Sequence, residues 1–218
     1  MNERLARAYK RPLVNPQTSN PISIFVKNSQ WPKFRNIVWK RLLYELPCWK
    51  ACGTTSSIRI PLNLRLSFGD TSKQDLALDL LAWAKKNGLK PDYVLFDSWY
   101  SSAKILKQIH AYHWSFVTRL KKNRKLMGCQ LKRHRGPYWT KVGKLRGLDI
   151  DLKIVRLRKK FFVTNDLNLS DKQIIATYAF RQNIEEVIRG LKQSLGWQAF
   201  RYRTRHTLEA HLSLGFVA

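Results

Sequence analysis

The sequence predicts an α/β fold, and three observations carry that expectation. From Ser56 onward, strand-like runs alternate with amphipathic helical stretches, the pattern of a sheet covered by helices. Tyr93 to Phe96 is apolar throughout, as suits a strand buried on both faces. At 218 residues and 44% hydrophobic content, the chain can bury one sizeable core and is short for two, so a single domain is expected.

Taken in order, residues 1–55 stand apart. Trp31, Trp39 and Trp49 are scattered among Pro and Asn without a period, so no element is predicted there. The segment reads as atypical, out of frame with the rest of the chain or disordered, and ordered structure is expected from about Ser56. "SSIRIPLNLRL" then predicts an edge or bulged strand, because Pro61 has no N–H to give to a central ladder. In "TSKQDLALDLLAWAKKNGLKP", Ser72 and Asp75 have capping-box spacing, Leu76, Leu80, Trp83 and Ala84 share a face, and Gly88 with Pro91 marks the stop of a helix. "DYVLFDSWYSS" supplies the buried strand with Asp97 at its end. "SAKILKQIHAY" predicts a second helix and "WSFVTRL" a second strand, giving a strand-helix-strand unit with Asp97 at its mouth.

Lys121 to Lys160 is basic and strand-like, with turn signals at Gly128, Gly136-Pro137 and Gly147. It reads as a small β-rich insertion, about residues 121–165, closed by the strand "FFVTND". Ser170 as N-cap with Gln173 three residues on starts a long helix expected to reach about Ser194, with Gly196 beyond its end. "FRYRTRH" and a last helix, "TLEAHLSLGFVA", complete the chain order.

A charge of +27, from 41 Lys+Arg against 14 Asp+Glu, is far beyond what solubility asks and calls for a polyanion such as DNA or RNA. No run approaches the roughly 18 apolar residues of a spanning helix, and no secretory pattern opens the chain, so a cytoplasmic setting without membrane is expected. Cys48, Cys52 and Cys129 have no ligand spacing, which argues against a disulfide framework or a structural zinc. His110 and His113 lack partner ligands and read as surface or partly buried imidazoles.

The candidate site combines two stretches. At about 100° per residue, Tyr178, Arg181, Glu185, Arg189 and Lys192 fall within a stripe roughly 80° wide, beside an apolar stripe that includes Phe180, Ile184, Val187 and Ile188. An ordinary amphipathic helix explains this with a Glu185–Arg189 pair worth about 0.3 kcal/mol. Asp97 weighs against that, since a carboxylate ending a buried strand is costly unless paired or metal-bound. Two carboxylates brought together can hold a divalent metal, while Tyr, Arg and Lys around them bind phosphates. Arg201 and Arg203 in "FRYRTRH" alternate with Phe200 and Tyr202, as phosphate contacts beside stacking rings or as a half-buried strand with a solvated basic side.

Tyr178, Arg181, Glu185 and Lys192 also match the spacing Y-x2-R-x3-E-x6-K, and the chain resembles the DDE transposases of bacterial insertion sequences, the IS-four-type group in the broad sense. "YVLFDSWYSS", "WSFVTRLKKNR" and "GLKQSLG" are similar to the family too, over about residue 56 to the end. The resemblance implies an RNase H-like catalytic domain over 56–218 with the β-rich insertion between the second Asp and the Glu. It implies that Asp97 and Glu185 are catalytic metal ligands for Mg²⁺ (or Mn²⁺). Tyr178, Arg181 and Lys192 would contact transposon-end DNA, and an intact copy would act as a homodimer on the transposon ends and a target. The family's first aspartate lies on the first strand, yet no Asp precedes Asp70, which sits beside capping residues and reads as a turn residue. The expectation is therefore a transposase whose triad is incomplete, a truncated or inactive copy. The alternative is a non-catalytic nucleic-acid-binding protein; a basic ribosome-associated protein would leave the Y-R-E-K spacing unexplained.

Overall fold

The computed structural model describes residues 21–28, 38–49, 55–67 and 71–182, together with 189, 193, 206, 207 and 210. The chain divides into two compact units, Met1–Arg181 and Gln182–Ala218. Among the described residues, the first holds ten strands: β1 Pro21–Asn28, β2 Val38–Trp49, β3 Thr55–Ser67, β4 Tyr93–Phe96, β5 Ser115–Leu120, β6 Lys125–Leu126, β7 Cys129–Gln130, β8 Tyr138–Gly143, β9 Leu152–Leu157 and β10 Lys160–Thr164. Its helices are α1 Lys73–Lys86, α2 Ala103–Ala111 and α3 Asp171–Ala179. Eight strands form one sheet in the order β3-β2-β1-β4-β5-β10-β9-β8, and β6 and β7 pair separately.

The centre of the sheet is parallel. β1 runs parallel to β4, with Ile24 opposite Phe96, and β4 runs parallel to β5, with Phe96 opposite Thr118. β1, β2 and β3 are joined antiparallel on one side, and β10, β9 and β8 on the other. Ordered structure thus begins well before Ser56. Two strands, β1 and β2, lie in the stretch for which no element is expected: β2 is set by pairing with its chain neighbours β1 and β3, and β1 also by pairing with the distant β4, rather than by a local period. β3 is an edge strand as read from Pro61, and the register with β2 shifts where Leu42 faces Asn63 and Leu43 faces Pro61, leaving Leu62 as the extra residue of a bulge.

Side-chain alternation sorts the described core into two faces. Val94, Phe96, Phe116, Phe161 and Val163 face α1 and α2, where Ala77, Leu80, Leu81, Ile105 and Ile109 are buried against them. Leu95, Val117, Val155 and Phe162 face α3 through Ile174 and Leu169. Both faces being covered is what makes "YVLF" continuously apolar.

The helix starts obey their sequence signals. Ser72 caps α1 by accepting the Asp75 N–H at 3.1 Å, and Gly88 beyond its end has φ +71°. Ser170 and Gln173 form a complete capping box at the start of α3. The expected helix to Ser194 is interrupted, because after Ala179 the backbone tightens into a 3-10 turn over Phe180–Gln182. Arg189, Gln193, His206, Thr207 and Ala210 are helical and exposed. Among the described residues, no helix is long and apolar enough to cross a membrane.

Candidate nucleic-acid interface

Asp97 comes directly after the last residue of β4, at the C-terminal edge of the parallel strands. Strand alternation carries it to the face of Leu95, the face that α3 covers. Its Oδ1 accepts the Ser98 N–H at 2.7 Å, the Tyr100 N–H reaches back to its carbonyl at 2.9 Å, and Ser101 Oγ donates to the Ser98 carbonyl at 2.8 Å. These bonds hold the turn after the strand in one shape. On the neighbouring strand the buried Thr118 hydroxyl donates to the Phe96 carbonyl at 2.7 Å, tying β5 to the base of the same turn.

One residue beyond Thr118, Arg119 alternates back to the Asp97 face. Tyr178 reaches that face from α3, its ring edge-on to Phe162 at 5.3 Å and its body part of the apolar cluster under the helix. Burial pushes the Tyr178 hydroxyl up to about 12; the Arg181 charge opposes the rise, the Asp97 carboxylate adds to it, and Arg119 opposes it again. A carboxylate, two guanidinium groups and a protonated phenol therefore share one small region. The Arg119 Nε is buried and donates no hydrogen bond among the described residues, leaving a donor in this region without a partner.

Of the residues expected to form the site, Asp97, Tyr178 and Arg181 are brought together. Arg189 is helical and exposed in the second unit. Glu185, Lys192, Arg201 and Arg203 lie outside the described residues, as does Asp70. Arg119 was missed. Its signal was present in "WSFVTRL", where two-residue alternation sets it with Val117, but using that signal requires knowing that β5 runs parallel beside β4. His110 and His113 are both exposed at the surface.

The fit to a divalent cation can be tested on the donors. Mg²⁺ takes several oxygen ligands, usually with one or two carboxylates among them. β1 occupies the place beside β4, and continuing the pairing of Ile24 with Phe96 by one residue sets Phe25 beside Asp97; "PISIFVKN" contains no acid at all. Among the described residues, no group of three or more His, Cys, Asp or Glu comes together that could hold a metal. Asp97 is the described carboxylate that shares this region with Tyr178, Arg119 and Arg181, and Glu185 lies outside the described residues.

A basic zone lies between β5 and β9, where Lys132, Arg133, Arg135, Lys141, Lys144 and Arg146 are all exposed. Asp149 takes the Lys144 ammonium at 2.5 Å, but both are at the surface, where such a pair contributes little. The other lysines and arginines in this zone keep the surface strongly cationic.

The sequence matches the family model of the transposase DDE domain over residues 48–218. Among solved structures, the chain is similar to the piggyBac transposase from its synaptic complex with hairpin DNA, with a TM-score of 0.54 and 11% identity, over 90% of this chain and 45% of that one. It is also similar to endonuclease V from Bacillus subtilis, with a TM-score of 0.45 and 14% identity, over 89% of this chain and 94% of that one. The chain thus spans less than half the length of the piggyBac chain, and at such identity the likeness speaks for the fold alone. Among curated proteins nothing matches.

Proposed function

This chain belongs to the transposase DDE-domain family, and we propose that it is an insertion-sequence transposase of the IS-four-type group that binds transposon-end DNA with an incomplete catalytic set. The observation that carries the proposal is the contrast at β4: Asp97, Arg119 and Arg181 all act on the Tyr178 hydroxyl beside its end, while β1 next to it holds no acid. On this reading the order β3-β2-β1-β4-β5 is that of an RNase H-like sheet, and β6 to β10 make up the β-rich insertion of about residues 121–165. Glu185 is the second carboxylate, and Lys192, Arg189, Arg201 and Arg203 extend the DNA contacts. The setting is cytoplasmic, and a second copy of the chain is the partner in the intact assembly.

Asp97 and Glu185 would be the residues to hold Mg²⁺ or Mn²⁺, which would supply activation of the attacking oxygen and charge stabilisation of the leaving one in phosphodiester hydrolysis and strand transfer. The described residues do not complete such a site. Their own part is to grip the backbone: the Arg119 and Arg181 guanidinium groups pair with phosphate oxygens, and the Tyr178 hydroxyl, protonated throughout the neutral range, donates to a third. The carboxylate of Asp97, among these cations, orients the phosphate by repelling its oxygens toward the guanidinium side. DNA binding is therefore stronger than cleavage, which brings the alternative of a non-catalytic nucleic-acid-binding protein close to the proposal.

The two are separated by a plasmid-nicking assay in Mg²⁺ and in Mn²⁺, run beside a gel-shift titration. We expect salt-sensitive DNA binding with slow nicking that disappears in Asp97→Asn and in Glu185→Gln. Binding with no nicking under either metal would favour the alternative. Nicking that persists unchanged in both variants would remove the site assignment.

A further inference from the structure

Trp99 is not used by the proposed grip on the phosphate, yet it is the residue most openly presented beside Asp97. Its side chain is 54% exposed, while its neighbour Tyr100 is 2% exposed and anchored in the core. The turn that holds them is locked by the Tyr100 N–H to Asp97 carbonyl bond and by the Ser101 to Ser98 bond, so the indole is held outward rather than left to collapse. Two cations from different elements converge on its ring. Lys121, just past β5, has its ammonium 4.3 Å from the ring centroid, and Lys73, in the first turn of α1, has its own at 5.6 Å.

We propose that Trp99, Lys73 and Lys121 form a platform for an unpaired nucleotide of the DNA next to the phosphate held at Asp97. The platform rests on the DNA-binding function proposed for the chain. An indole face stacks on any base, but only where that base is free of its own duplex stack, as at a strand end or an opened pair. The two lysines sit over the ring as cation–π partners at an exposed site, a weak interaction that a DNA phosphate replaces with a stronger one. When the strand enters, each ammonium swings from the ring to the backbone, and the ring is freed for the base. The position fits the general rule that ligands lie outside the C-terminal ends of parallel strands, here β4 and β5.

The test uses the full chain and fluorescently labelled DNA in anisotropy titrations. One duplex is blunt, and the other is the same duplex with a three-nucleotide single-stranded 3′ tail. The parent is expected to bind the tailed duplex about tenfold more tightly, the range of one base stacked on one aromatic ring. Trp99→Ala should bind the two duplexes equally, Trp99→Phe should keep most of the preference, and Lys73→Gln with Lys121→Gln should flatten the salt dependence on both. Circular dichroism melting of each variant verifies folding. A parent without tail preference, or a Trp99→Ala variant that keeps it, overturns the platform while salt-sensitive binding of the blunt duplex leaves the DNA reading standing. If neither duplex is bound by the parent, both fall.

Discussion

β4 has two parallel neighbours, and they treat its terminal carboxylate in opposite ways. β5 brings Arg119 to the Asp97 face, and α3, packed on the same face, adds Tyr178 and, just beyond, Arg181. β1 has the same parallel relation to β4 and a register that runs to Phe96, the residue before Asp97, but its sequence offers only Pro, Ile, Ser, Phe, Val, Lys and Asn. One flank is furnished for an anion; the other is not furnished for a cation. On the proposed reading, phosphate recognition and metal chemistry are separable here, because they would depend on different strands.

That separation can be broken experimentally. The largest effect is expected from putting an acid back on the bare strand: Phe25→Asp should raise Mn²⁺ affinity by at least about tenfold, since carboxylate count tunes the affinity of an oxygen site. Calorimetric titration of Mn²⁺ into parent and variant measures it, and equal affinities would mean that β1 does not border the site as its register implies. On the furnished flank, Arg119→Ala should weaken DNA binding by roughly tenfold, in line with losing a charge-assisted hydrogen bond. Its salt slope should fall by about 0.9, the value of one released counterion. Arg119→Lys should restore only part of this, because an ammonium does not present the planar fork. A full rescue would reduce Arg119 to a general positive charge.

A second carboxylate sharpens the contrast with Asp97. Asp171, at the start of α3, accepts hydrogen bonds from Tyr138 and Thr140 on β8 and an ion pair from Lys153 on β9 at 3.4 Å. Burial alone would raise its carboxyl, but the bonds from Thr140, Tyr138 and Lys153 outweigh that and hold it below the ordinary carboxylate range. A lowered folded value means that its contribution to stability is complete above the unfolded value of about 3.9 and fades as pH falls through the folded one. Asp171→Asn should therefore be less stable than the parent at pH 6, with the gap narrowing below about pH 4. Urea unfolding at the two pH values reads this smallest of the effects. A gap independent of pH would assign the loss to packing.

The placing of Tyr178 and Arg181 on one face was legible in the sequence because they belong to one local helical stretch, three residues apart. Asp97 was legible because a carboxylate ending an apolar run is conspicuous by its cost. Ser72 and Ser170 marked their helices because capping is a contact between residues three apart. The bulge beside Pro61 came from a missing N–H. Each of these is decided within a few residues of chain, so the sequence by itself determined them: an α/β alternation, the helix starts, a cationic surface and half of a site.

What only the tertiary structure decided is everything that depends on which strands are neighbours. β1 and β2 have no period of their own; they become strands by pairing with each other, β2 also with β3, and β1 also with β4 across more than sixty residues of sequence. Arg119 becomes part of the site only because β5 lies parallel beside β4. The helix that carries Tyr178 tightens at Phe180, where local periodicity alone would have carried it on unchanged. The physical reason for the strands is a common one: a sheet's ladder is built from long-range hydrogen bonds and cross-strand contacts, and these outweigh local propensity wherever that propensity is weak.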